Sequence, residues 1–253
     1  MASRRGSTPK VSVVLPTHNE LENLKQLIPQ IIKVLRPNHP EIIVVDDAST
    51  DGSIQWLKKL SDKNPRVKPI FGSKLKGIGN ALRRGYNASS SPIIVSLDAD
   101  LSFLPSTVPV LICKINQGYD LVIGSRHHSK GIYQAPTLSI KRKRLISSSA
   151  NFLLKTLLPI GVSDFSANCR AIRVSTWKKL KLKEKTNIWL IEMIVATAIG
   201  GGKIIEIPVK FRDRRFGSSK LKLGREIFLH GYRVISLISK FYASRFKTAG
   251  KKI

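Results

Sequence analysis

The hydrophobic positions of the chain switch between two spacings. Short unbroken apolar runs, Val11 to Leu15, Glu41 to Val45, Val67 to Phe71 and Pro92 to Leu97, read as strands buried on both faces. Between them the spacing becomes helical. In Leu21 to Leu35, residues Leu24, Leu27, Ile28, Ile31, Ile32 and Leu35 fall on one face, with Asn19 as the expected cap. Ile54 to Leu60 and the stretch from Gly77-Ile78-Gly79-Asn80 through Ala88 are the next two helices. This alternation predicts a parallel sheet wound with helices. Farther on, 107–117 is helical, Asp120 to Gly124 a strand, Asp164 to Arg170 a polar loop, and Ala171 to Leu180 a strand and turn. Ile188 to Ile199 is a helix carrying Glu192, and Ile204 to Phe211 a strand. Leu138 to Leu158 and Leu223 to Phe246 are amphipathic and basic.

Polar residues gather where the strands end. After Leu15 comes Pro16-Thr17-His18-Asn19-Glu20; after Val45 comes Asp46-Asp47; after Leu97 comes Asp98-Ala99-Asp100. Side chains two apart on a strand point the same way, so Asp98 and Asp100 can meet at one point. The carboxyl edge of an open α/β sheet is where ligands bind. Two hard oxygen ligands there suit Mg²⁺ or Mn²⁺ carrying phosphates. A polar turn closing the strand is the plainer alternative, and Asp46-Asp47 can likewise cap the turn that follows. Gly77 and Gly79 lack the third glycine and the early position of a dinucleotide fingerprint, and are read as a helix start.

Charge changes the picture of the second half. The chain has 253 residues and a formal charge of +28. Residues 1–100 carry a net +6 and residues 101–253 a net +22. Such asymmetry points to a polyanionic partner: anionic lipid, a phosphorylated substrate or nucleic acid. A nucleic-acid-binding protein accounts for the charge but not for acidic motifs at three strand ends, and no nucleic-acid module is recognisable. Cys113 and Cys169 make no disulfide framework or zinc pattern. No apolar run reaches the ~18–20 residues of a spanning helix, and no secretory leader is seen, so a soluble or peripheral chain is expected.

Taken together the motifs "VSVVLPTHNELENL", "EIIVVDDASTDGS", "IIVSLDADLS", "LVIGSR", "KRKRLISSSANFLL", "SDFSANCRAIR", "EMI" and "IPVKFRDRRFGSSKL" resemble glycosyltransferase family 2, inverting enzymes with a GT-A fold. The likeness covers roughly residues 10–240. The Asp213-Arg214…Gly217-Ser218-Ser219-Lys220 segment is similar to the branch acting on dolichol or polyprenol phosphate. The resemblance implies an α/β nucleotide-diphospho-sugar transferase fold, a mostly parallel sheet flanked by helices, with amphipathic C-terminal membrane-interface helices. It implies a basic tail at 1–10, a catalytic domain at 11–222 that includes 138–158, and a basic helix and tail at 223–253.

Residue by residue, the resemblance implies that Pro16, His18 and Glu20 line the nucleotide pocket and that Val45 and Asp47 hold base and ribose. Asp98, Asp100 and Ser102 would bind Mg²⁺ or Mn²⁺, with Ala99 against the nucleotide. Arg126, Arg214, Lys220 and the weaker candidate Arg170 would contact phosphates. Asp100, Arg126, Arg214 and Lys220 form the implied catalytic set. Relatives often carry Tyr at His18, a "DLTGSFR"-like run at 164–170, and Gln at Leu190. The implied reaction moves mannose from GDP-mannose to dolichyl or polyprenyl phosphate. The alternative is another nucleotide sugar such as UDP-glucose, with a lipid-phosphate or saccharide acceptor. The expected location is an anionic membrane surface on the cytosolic side (endoplasmic reticulum in a eukaryote, plasma membrane in a prokaryote). It would be reached directly or through a small anchoring subunit.

Overall fold

The computed structural model describes residues 10–133, 138–212 and 223–249, with side chains given for 10–132, 145–212 and 231–246. In chain order the elements are β1 (Ser12–Thr17), α1 (Leu21–Val34), β2 (Glu41–Asp47), α2 (Ser53–Lys63), β3 (Val67–Gly72), α3 (Ile78–Asn87) and β4 (Ile93–Ser96). Then follow α4 (Val108–Asn116), β5 (Leu121–Ser125), β6 (Ile132–Tyr133), α5 (Leu138–Leu157), β7 (Arg170–Arg173), α6 (Val174–Trp177), α7 (Ile188–Ile199), β8 (Ile204–Pro208), β9 (Lys210–Phe211) and α8 (Leu223–Ala249). The 1–9 tail, Arg214 and Lys220 lie outside the described residues.

Seven strands form one sheet in the order β3-β2-β1-β4-β7-β5-β8. All neighbours are parallel except at β7, which runs antiparallel to both β4 and β5. The strand expected from Ala171 thus starts at Arg170 and gives way after Arg173 to a single turn of helix. Its direction was not legible, because a four-residue buried strand reads the same either way. A two-stranded parallel ribbon, β6 with β9, lies apart from the main sheet.

Each face of the sheet carries its own core. Val13, Leu15, Ile42, Val44 and Val95 pack with Leu24, Leu27, Ile28, Ile31 and Leu111 from α1 and α4. Val14, Ile43, Val45 and Ile94 turn the other way, onto Ala81, Leu82 and Tyr86 of α3, Trp189 and Met193 of α7, Leu154 of α5 and Phe241 of α8. Burial on both faces is why these strands read as continuous apolar runs rather than alternating ones. Tyr86, Trp177 and Trp189 meet edge to face or tilted, with centroids 5.1–5.9 Å apart. No helix among the described residues is long and apolar enough to cross a membrane.

Strand order also makes the crevice. From β1 the chain steps first to β2 on one side, and later to β4 on the other. The β1–β4 ladder stops at Val14 paired with Ser96 and the Leu97 N–H on the Val14 carbonyl, while β1–β2 continues to Thr17. Pro16 sits just past that stop. It points its backbone the same way as Val14, so the N–H it lacks faces the side where pairing has ended.

Candidate active site

Four loops come together at this edge: those after β1, β2 and β4, and the 158–169 loop that leads into β7. The first two are bolted to each other. The Asn19 N–H donates to Ser49 Oγ at 2.7 Å, and the Thr50 N–H returns a 2.7 Å bond to Asn19 Oδ1. His18 Nδ1 donates to the Asp47 carbonyl at 2.7 Å, which requires the proton on Nδ1. Asp51 Oδ2 accepts the Leu21 N–H at 2.9 Å. Asn19 is therefore not the cap of α1. It is in the left-handed region (φ +56°), and the first-turn N–H is met by a carboxylate thirty residues away. Glu20, at the start of α1, holds Asn23 Nδ2 at 2.5 Å.

Asp46 and Asp47 part ways. Asp46 is fully buried and accepts the Ser49 N–H at 2.9 Å, closing the turn. Asp47 Oδ1 pairs with Arg84 Nη1 of α3 at 2.7 Å, and Arg84 Nη2 also holds the Phe71 carbonyl at 2.9 Å. A Cβ at Gly72 would stand 2.6 Å from Asp47 Oδ1, so the bare backbone makes room for that carboxylate. Val45, implied as a base contact, has no exposed surface; its side chain packs in the core against α3, where a Cβ at Gly85 would meet it at 3.1 Å. The strand's alternation turns this side chain to the α3 face of the sheet.

The acidic loop is tightly built. Asp100 is buried and its Oδ1 accepts the Ser102 N–H at 3.0 Å across Leu101, which is left-handed at φ +61°. Asp98 Oδ1 accepts from Asn168 Nδ2 at 3.1 Å. Ala99 and Ser102 are buried, and Ser102 Oγ has no partner among the described residues. The Arg212 N–H donates to the Ser102 carbonyl at 3.0 Å, and Phe103 pairs with Phe211. The segment bearing Arg214 and Lys220 thus leaves the described structure beside the acidic loop. No cluster of three or more His, Cys, Asp or Glu fit for a metal occurs among the described residues. What the loop offers is two carboxylates and a buried, unpartnered hydroxyl, an all-oxygen set that fits Mg²⁺ or Mn²⁺ sharing its sphere with phosphate and water.

Arg126, just past β5, is held in a fork. Its Nε and Nη2 meet Asp164 Oδ2 and Oδ1 at 2.8 and 2.9 Å, Nη2 reaches Ser166 Oγ at 2.7 Å, and the guanidinium lies 5.2 Å from the centre of the Phe211 ring. Asp164 also takes the N–H groups of Arg126, Ser166 and Ala167. Burial opposes its charge, but the Arg126 guanidinium and these donors outweigh that and hold its carboxyl well below the usual range. Ser163 binds Glu206 of β8 through its N–H and hydroxyl, fixing the start of the same loop.

Arg170, implied as a phosphate contact, lies beneath the loop with its guanidinium on backbone carbonyls. It is fully buried; Nε and Nη2 both donate to the Ala167 carbonyl, and Nη1 donates to Leu190 at 2.8 Å. Burial lowers its pKa to about 10, so it stays charged beneath the loop. Glu192 also faces inward. Its carboxylate accepts the N–H groups of Lys183 and Glu184 at 2.9–3.0 Å and shapes that turn. The residues that sequence reasoning missed are Ser49, Asp51, Arg84, Asp164 and Asn168. Only Asp51, in an Asp-Gly-Ser turn ahead of a helix, carried a local signal.

A sequence model of the family "Glycosyl transferase family 2" matches residues 12–180. The dolichol-phosphate mannosyltransferase of Pyrococcus furiosus is 36% identical over 231 residues, covering 89% of this chain and 64% of that protein. The chain thus spans less than two thirds of that relative. The undecaprenyl-phosphate mannosyltransferase of Micrococcus luteus is 31% identical, covering 85% of this chain and 88% of that protein. The polyprenol monophosphomannose synthase of Mycolicibacterium smegmatis is 30% identical, with coverage of 85% and 82%. Among solved structures, glucosyl-3-phosphoglycerate synthase from Mycobacterium tuberculosis, in complex with Mn²⁺, UDP and glucosyl-3-phosphoglycerate, superposes with a TM-score of 0.64 at 21% identity. That match covers 96% of this chain and 80% of that one. From the matched family and these relatives, the chain belongs to glycosyl transferase family 2 and has the GT-A fold.

Proposed function

We propose that the chain transfers mannose from GDP-mannose to a polyprenyl or dolichyl phosphate with inversion, giving the β-linked mannosyl phosphate. The observation that carries this reading is the edge where three strand-end loops, two of them bolted together, meet the Asp98/Asp100 pair and the Asp164-oriented Arg126. The relatives' names supply mannose and the polyprenyl phosphate class.

Asp98 and Asp100, with Ser102, would hold Mg²⁺ or Mn²⁺, which when bound supplies Lewis-acid stabilisation of the departing diphosphate. The rest falls to the chain's own groups. The loops after β1 and β2 bind and orient the nucleoside. The acceptor phosphate is already an anion at neutral pH and needs little help from a general base. Its obstacle is repulsion from the diphosphate, which fixed cations relieve. Arg126 comes preset for that task, and Arg214 and Lys220 are the proposed companions. Attack by the acceptor oxygen opposite the leaving diphosphate inverts the anomeric carbon, so an α-linked donor gives a β-linked product.

The acceptor resides in a membrane, and two helices offer a face for one. On α5, Leu145, Phe152 and Leu153 are 58–72% exposed, and on α8 Tyr232, Ile235 and Phe246 are 62–80% exposed. Tyr242 Oη donates to the Leu157 carbonyl at 3.0 Å and joins the two helices. Apolar side chains on basic helices suit in-plane seating on an anionic bilayer. The test is incubation with labelled GDP-mannose, dolichyl phosphate and Mn²⁺ or Mg²⁺, beside Asp100→Ala. Metal-dependent labelled lipid, absent in the variant, supports the reading. Product only from UDP-glucose moves the chain to that donor, and labelled lipid that survives Asp100→Ala refutes the site.

A further inference from the structure

We infer that Asn168 is a positioning residue for Asp98, setting which carboxylate oxygen the acidic loop presents to a divalent ion. This rests on the metal reading above. The amide is 2% exposed, and its Nδ2 donates to Asp98 Oδ1 at 3.1 Å across 70 residues of sequence. Only the nitrogen end of an asparagine amide can donate, so the contact with a carboxylate fixes the amide's orientation.

Three things hold Asn168 in place. It precedes β7, whose Arg170 is registered against Ser96 of β4, two residues before Asp98. Arg170, fully buried, grips the carbonyl of the adjacent Ala167 through Nε and Nη2. Asp164 ties the other side of the loop by accepting the Ala167 N–H at 3.0 Å. Antiparallel insertion of β7 between β4 and β5 is what brings this loop back over the acidic one. The same loop thus aims Arg126 through Asp164 and Asp98 through Asn168.

The other end of the amide points to a ligand as well. Asn168 Oδ1 is buried and has no donor among the described residues. Such an oxygen costs about 1–3 kcal/mol when left unmet. A water on the bound ion, or a hydroxyl of the donor substrate, has the chemistry to complete it.

The test is Mn²⁺ binding, followed by the electron paramagnetic resonance signal of free Mn²⁺, with and without GDP or UDP, in wild type, Asn168→Ala and Asn168→Asp. Groups that orient metal ligands typically change affinity by about 10–100-fold. The expected result is Mn²⁺·nucleotide affinity weaker by about tenfold or more in Asn168→Ala, with its thermal unfolding close to wild type. Asn168→Asp keeps the shape but loses the donor, and sets a second carboxylate against Asp98, so it is expected to bind Mn²⁺ with altered line shape. Affinities within twofold of wild type in both folded variants overturn the inference. Wild type that binds no Mn²⁺ with either GDP or UDP overturns the metal reading itself, a different failure.

Discussion

Replacing Asp164 with Asn removes one charge and changes almost no volume. Asp164 is fully buried and receives both Nε and Nη2 of Arg126, at 2.8 and 2.9 Å, plus three backbone N–H groups at 3.0–3.2 Å. Breaking a buried ion pair by removing one partner costs about 3–5 kcal/mol. The Arg126 side chain keeps 14% exposure, the Ser166 hydroxyl and the Phe211 ring. The lower end, about 3 kcal/mol, therefore applies, and for a chain of this size it lowers Tm by about 6–12 °C. The effect also has a pH signature. The native carboxyl is held below the ordinary range, so its contribution is complete at neutral pH. Below about pH 3.9 the unfolded chain takes up a proton that the native chain does not. The contribution then falls by about 1.4 kcal/mol per pH unit, so the gap between wild type and Asp164→Asn shrinks by about 1 kcal/mol between pH 7 and pH 3. Urea unfolding of both proteins at pH 7, 5 and 3 reads this directly. A gap below 1 kcal/mol at pH 7, or one that stays constant down to pH 3, refutes the argument that this pair is the preset element of the site.

Three further outcomes are expected. Asp51→Ala should cost about 0.5–2 kcal/mol in chemical unfolding, because it strips the donor-matched cap from α1, and should raise the KM for nucleotide as the clamped loops loosen. Gly79→Ala should lower Tm, since its Cβ would lie 2.6 Å from Trp189 Cβ and 2.7 Å from the Thr186 carbonyl, an overpacking cost of about 1–3 kcal/mol. Gly200→Ala, whose nearest neighbour is at 3.4 Å, is the matched control and should be near neutral. Phe152→Asp with Phe246→Asp should abolish flotation with anionic vesicles while leaving Tm within about 2 °C, because both rings are more than 70% exposed; unchanged flotation removes the membrane-seating proposal.

The strand ends were legible because each apolar run stops at an acidic or polar group, and a sheet gathers its strand ends at one edge. The Asp98/Asp100 spacing and the basic amphipathic character of α5 and α8 are local properties, and local properties survive in sequence. What could not be read are contacts between distant loops. Arg126 meets Asp164 across 38 residues, Arg84 meets Asp47 across 37, and Asn168 meets Asp98 across 70. Each depends on which strand neighbours which, and above all on β7 running against its neighbours. The burial of Val45 and Arg170 was hidden for a related reason. A residue's position near a strand end says which edge it occupies, not whether its side chain turns to the crevice or to the core.

Asn19, Ala48 and Leu101, three of the four non-glycine residues in the left-handed region among the described residues, lie in the loops after β1, β2 and β4. A side chain there costs about 1–3 kcal/mol. Two of the three have other work, Asn19 in its cross-loop bonds and Leu101 in packing against the core. Ala48 has only the methyl that makes its conformation unfavourable. A directed-evolution campaign selecting for heat resistance alone should therefore arrive at Ala48→Gly early. The variant is expected to melt higher and turn over more slowly, because the residue that relaxes the backbone also widens the range of shapes the proposed nucleotide pocket samples. Heat tolerance and catalysis would then pull this one position in opposite directions.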